Sequence, residues 1–379
     1  MENKTHYRPT IIKVDLNAIR LNVMNLKKHL KPNVQIIAVV KANAYGHGDI
    51  EVAKAAIEVG ATMLAVATPD EAVHIREHLP NIGILVLGAS PLSFAPYAAA
   101  HNISLTVFSA EWVEQLQHLD DTKKLKLHIK VDSGMGRIGI TEEQQLLEIY
   151  DKLHLHENII VEGIFTHFAT ADEEDASYFI GQIKKFNQMV NICPVKPPIV
   201  HAANTATALI KDESYQYDAV RYGISMYGLS PSPYVESILP FPLHPAMSFE
   251  TELVHVKKIR AGEGVGYGAS FIASEDCYIG TLPVGYADGV IRKLSGQDVL
   301  IDGKRAPIIG RICMDQCMIL LPKAYTIGEK VVLIGKQGSE EITIDEWAER
   351  LGTINYEVPC ILTNRVKRIH ENDKFVEKF

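Results

Sequence analysis

Eight short apolar runs, rich in β-branched residues, recur through the first two thirds of the chain and constrain its fold more than any other feature. They are apolar at nearly every position, which is typical of strands buried on both faces of a parallel sheet. The runs are IIAVVKA from Ile36, MLAVAT from Met63, IGILVLG from Ile82, ISLTVF from Ile103, KLHIKVD from Lys126, IIVEGIFTH from Ile159, IVHAAN from Ile199 and AVRYGIS from Ala219. We therefore predict eight parallel strands.

The segments between these runs carry helix-end signals. Thr68 with Glu71, and Thr141 with Gln144, have the spacing of a capping box, and Gly60 is placed to end an earlier helix. Strand and helix therefore alternate. Eight such units in about 240 residues match a (β/α)8 barrel, whose usual length is about 250 residues. A doubly wound open sheet is the alternative.

Beyond Pro242 the pattern changes to alternating runs such as LVHVKKI and KVVLIG, which predict a mainly β module. Asp302 and Gly303 predict a two-residue hairpin turn, and residues 345–351 predict one helix. We expect two domains, residues 1–242 forming an α/β barrel and residues 243–379 forming a mainly β domain.

Composition excludes several classes of partner. Lys plus Arg number 38 against 46 for Asp plus Glu, a net charge of -8, so no basic surface is expected for nucleic acid or an anionic membrane. No apolar run approaches the roughly 20 residues of a membrane span. The five cysteines are scattered and odd in number, which favours free thiols in a reducing compartment. We expect a cytoplasmic protein that acts on a small molecule.

Polar residues lie at the ends of the apolar runs, where barrel enzymes place their reactive groups. They are Lys41, Arg137, His167, Asn204 and Arg221. A lysine at a buried strand end can act as a nucleophile or base, because loss of water lowers its pKa. The alternative is a lysine that only extends to solvent.

A phosphate site is predicted after the seventh and eighth runs, where barrels often bind phosphate. Its donors would be Asn204, Thr205, Gly223 and Ile224, beside Arg221. A lysine across the barrel mouth from such a site suggests pyridoxal phosphate, whose aldehyde requires an amine and whose phosphate requires hydrogen-bond donors. No metal is needed, and Cys313 and Cys317 lack the second ligand pair of a zinc site.

The run VVKANAYGHG resembles the cofactor-lysine motif of alanine racemases. Seven further segments resemble other blocks of that family, in the same order. They are KVDSGMGRIG, HAANTA, RYGISMYG, VGYG, GYADG, GRICMDQ and INYEV. The resemblance to the bacterial, fold-type-III alanine racemases therefore spans nearly the whole chain. It implies an isomerase that interconverts L- and D-alanine with pyridoxal phosphate and supplies D-alanine for peptidoglycan, although D-alanine breakdown stays open.

The resemblance also implies two bases on opposite faces of the substrate. Lys41 would hold the cofactor as a Schiff base and exchange the α-proton on one face. Tyr267 would act on the other face from the partner subunit, which requires a homodimer with shared active sites. Taken alone, Tyr267 could equally be a phenol buried in a β core.

By the same resemblance, Arg221 faces the pyridine nitrogen and leaves it unprotonated, since arginine only donates. We infer that the weaker electron withdrawal limits transamination and decarboxylation. His167 would pack near the cofactor and bond toward Arg221. Arg137 would lie near the cofactor phenolic oxygen and the substrate carboxylate, and the lysine matching Lys130 is carbamylated in some relatives.

The remaining site residues follow from the family motifs. The phosphate would be bound by Tyr45, Asn204, Thr205, Gly223, Ile224 and Tyr356. The substrate would meet Arg137, Tyr286 and the backbone amide of Met314. An entry corridor would be formed by Asp172, Tyr286, Arg292, Arg311 and Ile354. Two residues depart from the usual family serine, namely Thr205 and Gly266.

Three other functions remain open. A broad-specificity amino-acid racemase is the nearest. A fold-type-III decarboxylase usually places a glutamate at the pyridine nitrogen, so Arg221 argues against it. A non-catalytic pyridoxal-phosphate carrier would lack the second domain that contributes Tyr267.

Overall fold

The computed structural model describes residues 7–116 and 123–372. The chain forms two compact units, a barrel unit of residues 18–44 and 49–245, and a C-terminal unit of residues 7–17, 45–48 and 246–372. The expected division at residue 242 is close to the observed one at 245, but residues 7–17 belong to the C-terminal unit. The reason is that β1 (Ile11–Asp15) is a strand of that unit's sheet. Within the described chain, no helix combines the length and apolarity of a membrane span.

The barrel unit contains an eight-stranded parallel sheet, as predicted. Its strands are β2 (Gln35–Val39), β3 (Ala61–Val66), β4 (Gly83–Val86), β5 (Ile103–Val107), β6 (Leu125–Lys130), β7 (Ile159–Phe165), β8 (Ile199–His201) and β9 (Ala219–Tyr222). The sheet order runs from β8 down to β2 and then to β9. The amide of Asp218 donates to Val200 O at 3.0 Å and that of Arg221 to Ala203 O at 3.0 Å. These bonds join the two ends, so the closed-barrel prediction is confirmed and the open sheet is excluded.

Helices alternate with these strands. They are α1 (Leu16–His29), α2 (Asp49–Glu58), α3 (Pro69–His78), α4 (Ala95–Ala100), α5 (Ala110–Glu114), α6 (Glu143–Leu153), α7 (Ser177–Asn191), α8 (Thr205–Ile210) and α9 (Pro233–Ser237). The capping box of Thr68 and Glu71 is confirmed at the start of α3. The one predicted at Thr141 is wrong by a residue, because Gln145 reaches back to the amide of Glu142 and the helix begins after it.

The C-terminal unit is built on a ten-stranded sheet that includes β1. Its other elements are β10 (Met247–Glu252), β11 (His255–Ile259), β12 (Gly264–Val265), β13 (Phe271–Ile272), β14 (Cys277–Leu282), β15 (Asp298–Ile301), β16 (Lys304–Ile309), β17 (Cys317–Leu321), β18 (Lys330–Gln337), β19 (Glu340–Ile342), α10 (Ile344–Leu351), α11 (Glu357–Ile361) and β20 (Lys367–Glu371). Strands β12 and β13 pair separately. The hairpin between β15 and β16 is confirmed, with Asp302 and Gly303 at φ 52° and 68° as a type I′ turn requires.

Candidate active site

Lys41 begins a left-handed turn directly after β2. The next four residues have φ between 51° and 54° although none is glycine: Ala42, Asn43, Ala44 and Tyr45. Each left-handed non-glycine residue costs about 1–2 kcal/mol, so the surrounding structure must hold the turn. The turn keeps the backbone bond from Ala44 N to Val40 O at 2.8 Å. This strain is stored in the segment that carries the predicted cofactor lysine.

The carboxylate of Glu71 holds the start of this turn. It accepts hydrogen bonds from the amides of Ala42 at 2.7 Å, Ala67 at 2.7 Å and Thr68 at 3.2 Å. Sequence analysis assigned Glu71 only to a helix cap. In the structure the same side chain also fixes the peptide bond that follows Lys41.

Arg221 lies in β9, paired with Ile37 of β2, and is 4% exposed. Its Nη1 donates to His201 Nδ1 at 2.9 Å and to His201 O at 3.0 Å. Its Nη2 donates to Thr166 O at 2.7 Å and to Ala202 O at 2.9 Å. Burial lowers the pKa of the guanidinium, but these four acceptors hold it as a donor. The hydrogen bonds that Arg221 makes within the described residues all use Nη1 or Nη2, so Nε can donate to a ligand.

His167 lies at the centre of a group of positive charges. Its Nδ1 is 3.5 Å from Arg221 Nη2. Its pKa is well below the ordinary value, first because of burial and then because of four nearby cations, which are Arg221, Lys130, Arg137 and Lys41. The imidazole is therefore neutral at neutral pH. Four cations at one barrel mouth, in a chain of net charge -8, provide a site for an anionic ligand.

Lys130 is a buried amine that lacks a polar partner. It is 3% exposed, and its Nζ has no hydrogen bond to any described residue. Burial lowers its pKa well below the usual value, Arg221 and Arg137 lower it further, and only Asp132 opposes them. Lys130 therefore loses its proton more readily than an ordinary lysine, and the deprotonated amine is a nucleophile. Its Nζ lies 4.7 Å from the centre of the Phe165 ring.

Arg137 follows a loop that is organised by Asp132. The Asp132 carboxylate accepts from the amides of Gly134 at 2.9 Å, Gly136 at 3.0 Å and Arg137 at 2.9 Å. Burial works against the charged carboxyl, but these amides outweigh it and lower the pKa of Asp132. The loop fixes the backbone of Arg137 and leaves its side chain exposed at the barrel mouth.

Two of the predicted phosphate donors come together after β8 and β9. The amide of Gly223 donates to Thr205 Oγ1 at 2.9 Å. The threonine hydroxyl therefore accepts a hydrogen bond at this position. The next amide, of Ile224, has no acceptor among the described residues. Asn204 begins the following helix, since its Oδ1 accepts from the amide of Thr207 at 3.0 Å. Its side chain caps α8 and thereby positions Thr205.

Tyr45 and Tyr356 lie together in the C-terminal unit, with ring centroids 6.2 Å apart. Tyr45 is 8% exposed, and burial raises the pKa of its phenol. The next residue, Gly46, has a φ of 79°, and a Cβ there would lie 2.2 Å from Pro359 O. A larger residue would therefore clash with the backbone of Pro359. The structure thus pairs these two predicted phosphate ligands within one unit.

Tyr267 is exposed on the C-terminal unit, so the alternative of a phenol buried in a β core is wrong. It is 72% exposed and lies in a short turn between Gly266 and Gly268, which have φ of 73° and 68°. The positive φ at Gly266 suits glycine, because glycine has no Cβ to clash in this conformation. A Cβ at Gly268 would lie 3.2 Å from Arg311 Nη1, so the predicted corridor arginine adjoins this turn.

Other predicted substrate and corridor residues are also exposed on the C-terminal unit. Tyr286 is 40% exposed, Met314 54% and Ile354 62%. Tyr286 and Met314 belong to adjacent loops, since the amide of Ala287 donates to Met314 O at 3.0 Å. Arg292 is exposed in the same unit, whereas Asp172 belongs to the barrel unit. Exposed aromatic and apolar side chains of this kind are typical of an interface.

Three functional candidates were missed at the sequence level: His128, Glu162 and His201. Each is a polar residue inside one of the apolar runs, and each is connected by hydrogen bonds to Arg221. A titratable side chain in a strand buried on both faces is the signal that could have identified them.

Comparison with known proteins gives a consistent family. Residues 14–231 match the family described as "Alanine racemase, N-terminal domain", and residues 246–370 match "Alanine racemase, C-terminal domain". An alanine racemase of Geobacillus kaustophilus is 49% identical, covering 97% of this chain and 96% of the relative. The crystal structure of alanine racemase from Bacillus anthracis with bound L-Ala-P has a TM-score of 0.94 and 44% identity, covering 99% of this chain and 98% of that one. A histidine racemase of Leuconostoc mesenteroides has a TM-score of 0.92 and 33% identity, covering 97% and 99%.

Proposed function

Because the chain belongs to the alanine racemase family and interconverts L- and D-alanine, we propose that it does so with pyridoxal phosphate and two bases, Lys41 and Tyr267 of the partner subunit. The observation that carries this proposal is the cationic barrel mouth around His167, with Lys41 at the end of β2 and Arg221 in the neighbouring β9.

The donors at the barrel mouth fit pyridoxal phosphate. The hydrogen bonds of Arg221 to described residues use Nη1 and Nη2, which leaves the Nε–H for an acceptor such as a ring nitrogen. The amide of Ile224 and the hydroxyl of Thr205 suit a phosphate. When bound, pyridoxal phosphate supplies an electron sink that acidifies the α-hydrogen of the attached amino acid.

Each cationic residue then has a separate task. Lys41 would hold the cofactor covalently through Nζ until the substrate amine displaces it, and the released Nζ amine would then move the α-proton on one face of the substrate. Arg221 donates to the ring nitrogen and keeps a proton off it, since a guanidinium cannot accept one. Arg137 orients the substrate carboxylate with its forked donors. His167 stays neutral beside them and adds no further charge.

Tyr267 carries the proton on the opposite face. Its phenol is 72% exposed, and the same unit exposes further large apolar side chains, including that of Met314. This exposure supports a role at the site of a second subunit, and hence a homodimer with shared active sites. Racemisation needs two acid–base groups on opposite sides of the substrate, and a second chain supplies one of them.

Lys130 is proposed to be carbamylated. Burial lowers the pKa of Lys130, which favours the deprotonated Nζ. That amine can attack carbon dioxide, forming an N–C bond and releasing one proton, and the resulting carbamate would be an anion near Arg137 and Arg221. That charge would convert an unfavourable cluster of cations into a paired one. Protein labelled with ¹³C-bicarbonate should show a carbamate carbonyl resonance that is absent in Lys130→Ala.

Subunit mixing tests the shared site directly. Lys41→Ala and Tyr267→Phe should each be nearly inactive as homodimers. When the two variants are unfolded together and refolded, half of the dimers are mixed, and each mixed dimer contains one site in which both bases are intact. We therefore expect recovery of about a quarter of wild-type activity. Recovery of none would show that Lys41 and Tyr267 act within a single chain.

A broad-specificity racemase is the second candidate, supported by the likeness to a histidine racemase of 33% identity. Incubation with a panel of L-amino acids, followed by chiral chromatography, separates the two. Turnover of alanine alone supports the first candidate, and turnover of histidine, serine or lysine supports the second. We further propose that the reaction serves peptidoglycan synthesis in the cytoplasm, since an odd number of scattered cysteines is typical of proteins in a reducing compartment.

A further inference from the structure

A chain of hydrogen bonds crosses the barrel interior from Arg221 to Glu162. Arg221 Nη1 lies 2.9 Å from His201 Nδ1, and His201 Nε2 lies 2.9 Å from His128 Nδ1. His128 Nε2 lies 3.1 Å from Glu162 Oε2. Both imidazoles are fully buried. We refer to His201, His128 and Glu162 as the histidine chain.

The histidine chain spans several strands. His128 is in β6 and His201 is in β8, with β7 and its Glu162 between them. His128 is paired with Gly163 of β7, and because glycine has no side chain the His128 ring can reach over β7 to His201. Burying any of these three polar side chains without a hydrogen-bond partner would be costly. Because each of them has a partner, they form one continuous hydrogen-bond network.

The positions of the protons follow from the chemistry of the two end groups. A guanidinium only donates, so His201 Nδ1 must accept and its proton must lie on Nε2. That proton points at His128 Nδ1, which must also accept, leaving the His128 proton on Nε2. The final acceptor is the carboxylate of Glu162. Every donor in the series therefore points away from Arg221.

The ionisation of these groups agrees with this direction. Burial, and next to it the charge of Arg221, lowers the pKa of His201 well below the usual value. Burial also lowers the pKa of His128, although Glu162 opposes it. Burial disfavours the charged carboxyl of Glu162, but hydrogen bonds from His128, Lys126 and Ser104 outweigh it and lower its pKa to about 2. Two neutral rings thus connect a cation to an anion.

The fold makes room for the central ring. A Cβ at Gly163 would lie 2.2 Å from His128 Nδ1, so only glycine leaves space for the imidazole. The register between β6 and β7 also shifts at this point, between Leu127 and His128. These local features fit the ring closely and indicate that His128 occupies one orientation.

The far end of the series is fixed as well. Glu162 accepts from Ser104 Oγ at 2.5 Å and pairs with Lys126 Nζ at 2.8 Å. Its side chain is 13% exposed. The carboxylate is therefore held in place by donors other than His128.

We propose that Glu162 is a positioning residue for Arg221, acting through His128 and His201 to fix the tautomer that accepts from the guanidinium. This inference rests on the proposed function, in which Arg221 Nε donates to the cofactor nitrogen. Without the carboxylate, the proton of His201 can move to Nδ1 and face the Arg221 N–H. Two donors would then oppose each other, and the guanidinium would lose its fixed direction.

Neutron diffraction from deuterated crystals of the wild-type holoenzyme tests the tautomers without reference to activity. We expect one deuteron on Nε2 of His201 and one on Nε2 of His128, with none on either Nδ1. A deuteron on Nδ1 of either ring would overturn the proposal, whatever the fate of the proposed function.

The functional test uses Glu162→Gln, which keeps the shape and removes the charge. We expect kcat for alanine to fall about 2- to 30-fold, the size of effect by which a residue within a network changes the coupling between two distant groups, with KM nearly unchanged. The absorbance spectrum of bound pyridoxal phosphate should shift, and transamination should rise relative to racemisation. Lys126→Gln is the matched control, because it removes a neighbouring charge but leaves the carboxylate, and it should resemble wild type.

The outcomes separate the two proposals. A Glu162→Gln enzyme with wild-type kcat and spectrum would overturn the role of Glu162 and leave the proposed function standing. Equal losses in Glu162→Gln and Lys126→Gln would also overturn it. A wild-type enzyme that binds no pyridoxal phosphate would overturn both.

Discussion

Replacing Glu71 by alanine should release the left-handed turn that follows Lys41. The side chain accepts three backbone amides, at 2.7, 2.7 and 3.2 Å, and one of them belongs to Ala42. Hydrogen bonds to a charged group contribute about 1.5–3 kcal/mol each to the free energy of unfolding when they are buried. Glu71 is partly exposed, so water can replace some of these bonds in the variant, and the expected loss for all three is about 3 kcal/mol. Four left-handed residues store roughly 4–8 kcal/mol of strain, so loss of this anchor favours relaxation of the turn.

The matched control is Thr68→Ala, which removes the Oγ1 acceptor of the same capping box and leaves the bond to Ala42. It should lower the free energy of unfolding by about 1 kcal/mol, the usual value of a helix cap, with kcat unchanged. Glu71→Ala should lose about 3 kcal/mol and about 100-fold in kcat, since a 1 Å displacement of a reacting group has that effect. Urea unfolding and a coupled assay of D-alanine formation measure the two quantities. Equal kcat values for the two variants would refute the anchoring role.

Three further outcomes are expected. Gly352→Ala should lower the free energy of unfolding by about 1 kcal/mol in urea titrations, because Gly352 ends α10 at φ 69°, and an unchanged midpoint would contradict this. Tyr227→Phe should lower it by about 1 kcal/mol, since the phenol donates to Val39 O at 2.8 Å in the core, and a neutral effect would mean that the bond contributes nothing. The ionised form of Glu162 stabilises the fold above its ordinary pKa of 4.5, and this stabilisation is lost as the pH falls toward its folded pKa of about 2. Stability measured between those pH values should therefore fall less steeply in Glu162→Gln than in wild type.

Much of the barrel could be predicted because its strands are local features of the sequence. Each of the eight apolar runs corresponds to one strand, and Arg221 was already placed in the last of them. The strand β1 was not predicted, since its partners β10 and β20 lie more than 200 residues further along the chain. A five-residue strand whose pairing is so distant leaves only a weak local pattern.

The turn after Lys41 shows why part of the site escaped prediction. Its sequence, ANAY, contains alanines that favour right-handed helix, and nothing in it requires positive φ. The conformation depends on Glu71, about thirty residues away in the chain, whose contact with Ala42 exists only in the folded barrel. Likewise, the bond between His128 and His201 depends on the spatial order of three strands.

Residues 45–48 belong to the C-terminal unit although the residues on either side of them belong to the barrel unit, which limits how this chain can be divided or recombined. Those four residues are held by groups close to the carboxyl terminus, including Arg368, whose Nε donates to Gly46 O at 3.0 Å. A fragment cut after residue 245 would keep the whole eight-stranded sheet. It would lose the C-terminal residues that hold residues 45–48, and these begin at the last residue of the left-handed turn. An exchange of C-terminal modules between homologues must therefore move three separate stretches of polypeptide together.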